Sequence, residues 1–294
     1  MSMNVVDRSR IDVPLARRLV AGQFPEWADL PVRVMDRSGN DHRMFRLGEN
    51  MLVRLPADPD FVPQVSKEQK WLPWLAPRLP LPVPQVRGAG RPSPDFPARW
   101  SVYGWLDGEP AAVAKIDDTA RFAGEIADFL VALRNVPVPA DAPAPGQHSA
   151  FRGGPLDHWD DEMAALLHRV HGRERDQAAG IWRDALAALF EGPPVWLHGD
   201  VSVNNLLISA GRLSAVLDFG CSAVGDPACD TVMRWTLFTG RARDEFRRRL
   251  DVDEATWARG RGWALWKGLI MITNKPPGQA EFARRVLDEL FSGV

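Results

Sequence analysis

The chain has 294 residues, of which 45% are hydrophobic and 25% are charged, a composition typical of globular proteins and unlike disordered, collagenous or coiled-coil chains. Thirty-six basic against 38 acidic residues give a net charge of −2, which provides no bulk positive field to hold a nucleic acid or an anionic membrane. Two cysteines are too few for a disulfide framework, and no stretch approaches the roughly 18 uninterrupted apolar residues of a membrane span. We therefore expect a cytoplasmic protein with neither a nucleic-acid nor a membrane partner.

The first hundred or so residues predict a small antiparallel sheet crossed by one helix. Extended apolar runs separated by turns that contain Gly or Asn are typical of hairpins. Apolar residues then recur at helical spacing, and Pro73 and Pro77 are expected to kink or split that helix. The predicted elements are a three-stranded meander within 31–56, a helix over 65–79 and strands over 83–86 and 99–105. The sequence Asp107-Gly108-Glu109-Pro110 breaks the last strand and is a candidate domain boundary.

The rest of the chain is mostly helical by its apolar period. Helices are predicted over 119–133, 156–170, 178–190, 227–250, 254–272 and 279–291, with a Pro-, Ala- and Asp-rich loop over 137–146. Short buried strands are predicted near residues 195, 206 and 213. The pattern indicates an α+β protein with a small β-rich lobe at residues 1–103, a hinge at 104–109 and a larger helical lobe at 110–294.

Polar groups stand at the ends of these short strands. Asp200 follows the first strand, Asn205 precedes the second and Asp218 follows the third. Loops held by a buried scaffold commonly carry catalytic groups. Carboxylate and amide oxygens suit Mg²⁺, a hard cation that keeps part of its coordination shell for water and phosphate, and one carboxylate remains as a base. A single Asp or Asn beside a strand is usually a turn former, but the joint spacing of three argues against that interpretation.

This pattern resembles the aminoglycoside phosphotransferase family, whose fold is like that of the protein kinases. The motifs that match in order are His198-Gly199-Asp200, Asn205, an apolar strand, Asp218-Phe219-Gly220 and Gly225-Asp226-Pro227. The resemblance implies a protein-kinase-like bilobal fold with ATP between the lobes, and phosphoryl transfer as the reaction. It implies that Asp200 positions or deprotonates the acceptor hydroxyl, while Asn205 and Asp218 hold Mg²⁺ on the ATP phosphates.

Two further residues are assigned supporting roles by the same resemblance. His198 is expected to hold the catalytic loop by hydrogen bonding, although an imidazole at such a place could also suggest a base. Asp226, with Asp230 after it, is expected to buttress the loop and to start the next helix.

The resemblance also assigns nucleotide-binding residues in the small lobe. Arg54 ends the third strand, where kinases and many phosphotransferases carry a lysine that holds the α- and β-phosphates, and Glu68 lies where the partner carboxylate is found. The alternative is that both are solvated surface residues, and Lys67 and Lys70 lie near enough to compete for the phosphates.

The hinge and the phosphate loop complete the predicted nucleotide site. Tyr103, Gly104 and Leu106 match the family's hinge, where backbone groups bind adenine and Tyr103 takes the gatekeeper position; they also fit an interdomain linker. Ser38 and Gly39 belong to the loop expected over the phosphates, with an ordinary hairpin turn as the alternative.

The acceptor is expected to be a small molecule. Gly199 stands where regulated protein kinases carry an Arg, and Asp218-Phe219-Gly220 is followed almost at once by Gly225-Asp226-Pro227, so no long activation segment remains for a peptide. The resemblance favours an aminoglycoside-like antibiotic, with a macrolide, choline, homoserine or sugar type as alternatives. The candidate carboxylates for a polycation are Asp160, Asp161 and Glu162, which also fit a solvated helix N-terminus.

Two other classes of function are weighed against this hypothesis. A nucleotide-binding pseudokinase without turnover would not need all of Asp200, Asn205 and Asp218. A metal-dependent hydrolase would need further His or carboxylate ligands for a two-metal centre. We therefore expect a monomeric or homodimeric phosphotransferase that uses ATP, Mg²⁺ and a small-molecule acceptor; a role in antibiotic resistance would follow from association alone.

Overall fold

The computed structural model describes residues 8–35, 41–274 and 277–292. Its N-terminal lobe has a five-stranded antiparallel sheet with strand order β1-β2-β3-β5-β4. The elements of this lobe are α1 (Val13–Gln23), β1 (Val32–Val34), β2 (His42–Leu47), β3 (Met51–Pro56), α2 (Val62–Leu75), β4 (Val86–Gly90) and β5 (Trp100–Gly104).

Local sequence accounts for the β2–β3 hairpin and for α1. Gly48 adopts a φ of 56°, the left-handed conformation that glycine takes without a steric penalty, and Leu47 pairs with Met51 across the turn. Asp12 caps α1 by accepting the N–H of Leu15 at 2.8 Å, and Pro14 lies in the first turn. Helix α1 was not predicted, and it packs with the sheet in one hydrophobic cluster.

Helix α2 runs without a break from residue 62 to residue 75, although Pro73 was expected to kink or split it. The proline lies in the last turn, where it disturbs only the end of the helix before a short 3-10 turn at 76–78. One face of α2 buries Trp71, Leu72 and Leu75 in the hydrophobic core of the helical lobe. The helix therefore joins the two lobes.

The C-terminal lobe is mainly helical and contains two small antiparallel sheets, β6-β8-β9 and β10-β7. Its elements are β6 (Glu109–Pro110), α3 (Thr119–Arg134), α4 (Asp160–Leu167), α5 (Gly172–Ala187), β7 (Val195–Leu197), β8 (Leu206–Ser209), β9 (Arg212–Val216), β10 (Ala223–Gly225), α6 (Met233–Thr236), α7 (Gly240–Leu250), α8 (Glu254–Asn274) and α9 (Pro277–Phe291). The predicted α+β, protein-kinase-like fold class is confirmed.

The helix predicted over 227–250 is divided into a 3-10 turn at 227–232, α6 and α7. Gly240 breaks the helical path with a φ of 49° at the start of α7. Within the described ranges, no helix has the length and apolar character needed to cross a membrane. Buried residues form two hydrophobic clusters, one around the sheet and one through the helical lobe; the lobe boundaries at 103 and 110 stay a prediction.

Candidate active site

A single hairpin, β8–β9, brings two of the predicted site residues together. Asn205 directly precedes β8 and Asp218 follows β9 by two residues, while Leu206 pairs with Val216 in the ladder. The Leu217 N–H donates to the Asn205 carbonyl at 2.7 Å, which extends the pairing to the open end of the hairpin. Both side chains therefore stand at the same end of this small sheet.

Asp200 lies on the loop between β7 and β8, and Asn205 ties that loop back on itself. The side-chain amide nitrogen of Asn205 donates to the Asp200 carbonyl at 2.9 Å. This bond uses the amide nitrogen, so the amide oxygen is the atom of Asn205 that is available to a cation. The half-buried Asp200 carboxylate extends from the same loop.

His198 is completely buried and supports this loop from below. Its Nδ1 accepts the Asp200 N–H at 3.2 Å, and its Nε2 lies 2.8 Å from the Leu217 carbonyl oxygen. A neutral ring that carries its proton on Nε2 satisfies both contacts. The ring thus links the catalytic loop to the end of β9, which leaves neither nitrogen for a substrate.

Asp230 holds the backbone on the other side of the loop. Its carboxylate accepts the N–H groups of His198 and Gly199, both at 2.7 Å. Gly199 has a φ of 84°, and a Cβ there would lie 2.3 Å from the Cys221 carbonyl oxygen, so only glycine fits before Asp200.

Asp226 lies deeper and is fully engaged in structural contacts. Its two carboxylate oxygens accept from the Arg259 guanidinium at 2.7 and 3.0 Å, and Oδ1 also accepts the Ala228 N–H at 3.1 Å. The pair is buried, which fixes the 3-10 turn after β10 against α8.

Arg54 joins the small lobe to the predicted site residue Asp218. Its Nη1 donates to both carboxylate oxygens of Glu68, at 3.0 and 2.8 Å, and its Nη2 donates to Asp218 Oδ1 at 2.9 Å. Burial alone would lower the pKa of Arg54, but Asp218 and Glu68 together raise it above its ordinary value. Burial likewise works against the ionised form of Asp218, yet Arg54 lowers the pKa of that carboxyl to about 2. Both groups are therefore charged at neutral pH.

Two residues make contacts with this ion-pair network that the sequence did not predict. Tyr103 is buried and its hydroxyl donates to Glu68 Oε2 at 2.8 Å, so the gatekeeper residue anchors the carboxylate that holds Arg54. His42 Nδ1 lies 3.2 Å from Arg54 Nη2. The register of β2 and β3 explains why His42 lies near Arg54. Met44 pairs with Arg54, and His42, two positions before Met44 in β2, lies on the same face of the sheet.

Lys67 and Lys70 do not compete with Arg54. Lys67 is buried and its Nζ donates to the carbonyls of His148, Gly220 and Ser222 at 3.0, 2.6 and 2.7 Å. Burial lowers its pKa to about 8. Lys67 therefore ties α2 to the segment that follows Asp218, while the exposed Lys70 pairs with Asp141.

Lys267, on α8, contacts the predicted base directly. Its Nζ lies 3.2 Å from Asp200 Oδ1. Burial opposes the ionised carboxylate of Asp200, but Lys267 and, to a smaller extent, Arg152 outweigh it and lower the pKa of Asp200 below its ordinary value. No sequence motif marked Lys267, since it lies 67 residues after Asp200 on a helix whose pattern is that of an ordinary core helix.

The predicted hinge connects β5 to β6. The Gly104 N–H donates to the Gln85 carbonyl at 2.9 Å and the Trp105 N–H donates to the Asn50 carbonyl at 2.8 Å, so both donors are already used. Leu106 follows in the connector and is half-buried. Ser38 and Gly39, which were predicted to cover the phosphates, lie outside the described residues.

The predicted acceptor carboxylates lie exposed in the first turn of α4. Asp160 accepts the Trp182 indole N–H at 2.7 Å, and Glu162 accepts that of Trp266 at 2.7 Å. Trp266 lines a cleft at Asp200, whereas Glu162 contacts Trp266 but does not line the cleft itself. Asp161 lies between them in sequence and is also exposed.

The chemistry of the donor set fits a magnesium ion. The described residues contain no group of three or more His, Cys, Asp or Glu side chains arranged for a metal, so a protein-only cage is not formed there. Asp218 accepts its hydrogen bonds from Arg54 and Gly220 on Oδ1, which leaves Oδ2 for a cation, and Asn205 likewise keeps its amide oxygen. Two oxygen ligands completed by water and phosphate are what Mg²⁺ prefers.

Comparison with known proteins places this site in a family. Residues 35–263 match the family model described as the phosphotransferase enzyme family, which is well over half of the chain. The chain belongs to this family. The enzyme class predicted above, a small-molecule O-phosphotransferase, is therefore confirmed. Curated protein sequences contain no match to the chain.

Solved structures share the fold of this phosphotransferase at low identity. Aminoglycoside 2'-phosphotransferase-IIIa in complex with GDP is 17% identical, with a TM-score of 0.74 and coverage of 96% of this chain and 99% of that one. The streptomycin–ATP ternary complex of APH(2'')-IIa is 17% identical, with a TM-score of 0.63 and coverage of 96% and 98%. Macrolide 2'-phosphotransferase MphH from Brachybacterium faecium is 21% identical, with a TM-score of 0.64 and coverage of 94% and 98%. At these identities the likeness establishes the kinase-like fold.

Proposed function

We propose that this phosphotransferase transfers the γ-phosphate of ATP to a hydroxyl group of a small molecule, with Asp200 as the base and Mg²⁺ on the phosphates. The observation that carries the proposal is the convergence of Asp200, Asn205 and Asp218 at the end of the β8–β9 hairpin, with Arg54 reaching the same point from the small lobe. ATP as donor also implies a cytoplasmic site of action.

Arg54 is proposed to bind the nucleotide phosphates. A guanidinium offers a fixed positive charge and a fork of donors for phosphate oxygens. Glu68 and Tyr103 hold that fork in place from behind. The adenine is proposed to bind the backbone of the hinge. Because the N–H groups of Gly104 and Trp105 already donate within the fold, the proposed contacts are the Gly104 carbonyl and the Leu106 backbone.

Asp200 is proposed to receive the proton of the acceptor hydroxyl. It stays ionised at neutral pH because its pKa is lowered, and Lys267 fixes one of its two oxygens. The acceptor oxygen forms a bond to the γ-phosphorus, the bond from that phosphorus to the β–γ bridging oxygen breaks, and ADP leaves. When held by Asn205 and Asp218, Mg²⁺ supplies charge neutralisation on the phosphates.

A small acceptor is supported by the short path after Asp218. Only Cys221 and Ser222 separate the Asp218-Phe219-Gly220 sequence from β10, and β10 pairs at once with β7. No length of chain is left there for a peptide to dock on. The proposed acceptor classes are the aminoglycoside-like antibiotics and other small hydroxylated compounds.

The test is transfer of phosphate to an acceptor panel in the presence of Mg²⁺ and ATP, read by mass spectrometry and by ADP release. Asp200→Asn should reduce kcat by about 100-fold or more, because it removes a positioned base. Asp176→Asn, an exposed aspartate on α5, is the matched control and should be unchanged. Transfer that persists in Asp200→Asn would contradict the assigned base, and failure to bind Mg²⁺-ATP would contradict the proposed reaction.

A further inference from the structure

A narrow, open cleft lies beside Asp200 on the side of the helical lobe. Helix α8 supplies three of its walls, Trp263, Trp266 and Lys267, and the loop before α4 supplies Arg152. The cleft touches the proposed base directly, so it is where the hydroxyl-bearing substrate would lie.

Positive charge exceeds negative charge in this cleft. Asp200 is the single carboxylate among the described residues that line it, and Lys267 already pairs with that carboxylate. Arg152 adds a second cation without a carboxylate partner of its own in the described structure. The charge left over once Asp200 is neutralised is therefore that of Arg152.

Arg152 packs against the aromatic wall of this cleft. Its Cζ lies 4.8 Å from the centre of the Trp263 ring and 4.4 Å from that of Trp266, which places the guanidinium against two aromatic rings. Its Nη1 is buried and has no hydrogen-bond partner in the described residues. A buried donor with no acceptor is costly, and a planar guanidinium that packs on rings still presents N–H groups at its edge.

The carboxylates that would favour a polycation are used elsewhere. Asp160 accepts from Trp182 and Glu162 accepts from the Trp266 indole, and neither carboxylate lines the cleft. An ammonium group in the cleft would meet Arg152 and Lys267, whereas an oxyanion would meet two cations, of which only Lys267 has a carboxylate partner among the described residues.

We infer that the acceptor is a hydroxylated carboxylic acid whose carboxylate binds Arg152 while Trp263 and Trp266 cover an apolar part of the molecule. This inference rests on the proposed function, since it places the acceptor hydroxyl at Asp200. It narrows the acceptor from any small alcohol to an anion with an apolar body.

The test uses three benzyl alcohols that share one ring and one hydroxymethyl group and carry an anionic, a neutral or a cationic group in the para position. The probes are 4-(hydroxymethyl)benzoate, 4-(hydroxymethyl)benzamide and 4-(hydroxymethyl)benzylamine, titrated calorimetrically into the protein saturated with Mg²⁺-ADP. We expect the carboxylate to bind about tenfold more tightly than the amide, as one charge-assisted contact allows, and the amine to bind most weakly.

Variants identify the residue responsible. Arg152→Gln should abolish the preference for the carboxylate, Arg152→Lys should keep part of it, and Arg175→Gln, an exposed arginine on α5, should keep all of it. Unchanged affinity for Mg²⁺-ADP in Arg152→Gln shows that the variant is folded.

The inference would be overturned by equal affinity for the three probes, by tighter binding of the amine, or by a carboxylate preference that survives in Arg152→Gln. Absence of measurable carboxylate binding at millimolar concentration would do the same. Failure of the wild-type protein to bind Mg²⁺-ADP would instead defeat the proposed function, so the two failures are distinguishable.

Discussion

The buried contact between Arg54 and Glu68 makes a quantitative prediction about stability. The Glu68 side chain is 1% exposed, and it accepts two hydrogen bonds from Arg54 Nη1 and one from the Tyr103 hydroxyl. Glu68→Ala removes every one of these acceptors, so a buried guanidinium nitrogen loses its acceptor and the Tyr103 hydroxyl loses its charged one. Breaking a buried pair in this way costs about 3–5 kcal/mol of unfolding free energy.

The expected loss lies at the lower end of that range. Arg54 keeps its second contact with the half-buried Asp218, so its charge is not left wholly unpaired, and we expect about 3 kcal/mol for Glu68→Ala. At roughly 2–4 °C per kcal/mol for a chain of this size class, the melting temperature should fall by about 6–12 °C. Tyr103→Phe removes one hydrogen bond to a charged acceptor and should cost about 1.5–2 kcal/mol.

The assay is thermal and urea unfolding followed by circular dichroism, with Glu191→Ala as the control because Glu191 is exposed. The control should change the unfolding free energy by less than about 0.5 kcal/mol. If Glu68→Ala unfolds at the same temperature and urea concentration as Glu191→Ala, the buried network does not stabilise the two lobes and the reasoning fails. Mg²⁺-ATP affinity should fall in Glu68→Ala alone, because Arg54 loses its alignment.

Three further predictions follow from the charged groups of the site. Lys267→Met should lower kcat about tenfold and move the acidic limb of the kcat–pH profile to higher pH, because Lys267 lowers the pKa of Asp200. Lys267→Arg should return the limb to its wild-type position. A limb that does not move in Lys267→Met would contradict this role. Asp218 has a folded pKa of about 2 against 3.8, so its contribution to stability is present above pH 3.8 and is lost as the pH falls through about 2; Asp218→Asn should flatten acid unfolding in that window, and an unchanged profile would count against the ion pair. Lys67 has a pKa of about 8, and its ammonium group holds the carbonyls of the segment that follows Asp218. Loss of that charge should loosen the segment, so the affinity for Mg²⁺-ATP should weaken as the pH rises through 8 in the wild type but not in Lys67→Met. Lys70→Met is the control and should keep the pH dependence of the wild type.

The catalytic core was predictable because its parts are close in sequence. Asn205 directly precedes the first strand of one hairpin and Asp218 follows its second strand. Pairing of the two apolar strands between them is therefore enough to bring them to the same open end. Helix α1 was missed although its signals, an Asp cap and a proline in the first turn, are present. Its buried residues Leu15, Ala16, Leu19 and Val20 also recur at helical spacing, and they pack with the sheet in one cluster.

The contacts that depend on tertiary packing were not predictable. The contact between Arg54 and Glu68 was expected from the family resemblance, whereas the contact of the neighbouring Lys67 with the Gly220 carbonyl was not, because it depends on how α2 packs against the segment after Asp218. Lys267 is one basic residue on a tryptophan-rich helix, and its meeting with Asp200 depends on how α8 crosses the lobe. A periodic pattern fixes which face is apolar but not which distant loop that face meets.

Arginine at position 54 couples two functions that a lysine would keep separate. A lysine ammonium is a single point charge, whereas the guanidinium fork reaches Glu68 with one nitrogen and Asp218 with the other. The Arg54 contact ends on Asp218 Oδ1, and Oδ2 carries no hydrogen bond from the described residues, so the carboxylate can keep Arg54 while it accepts a cation. Arg54, proposed to hold the phosphates, thereby also orients Asp218, proposed to hold the metal. Glu68 and Tyr103 on the small lobe set the position of Arg54 and, through it, of Asp218.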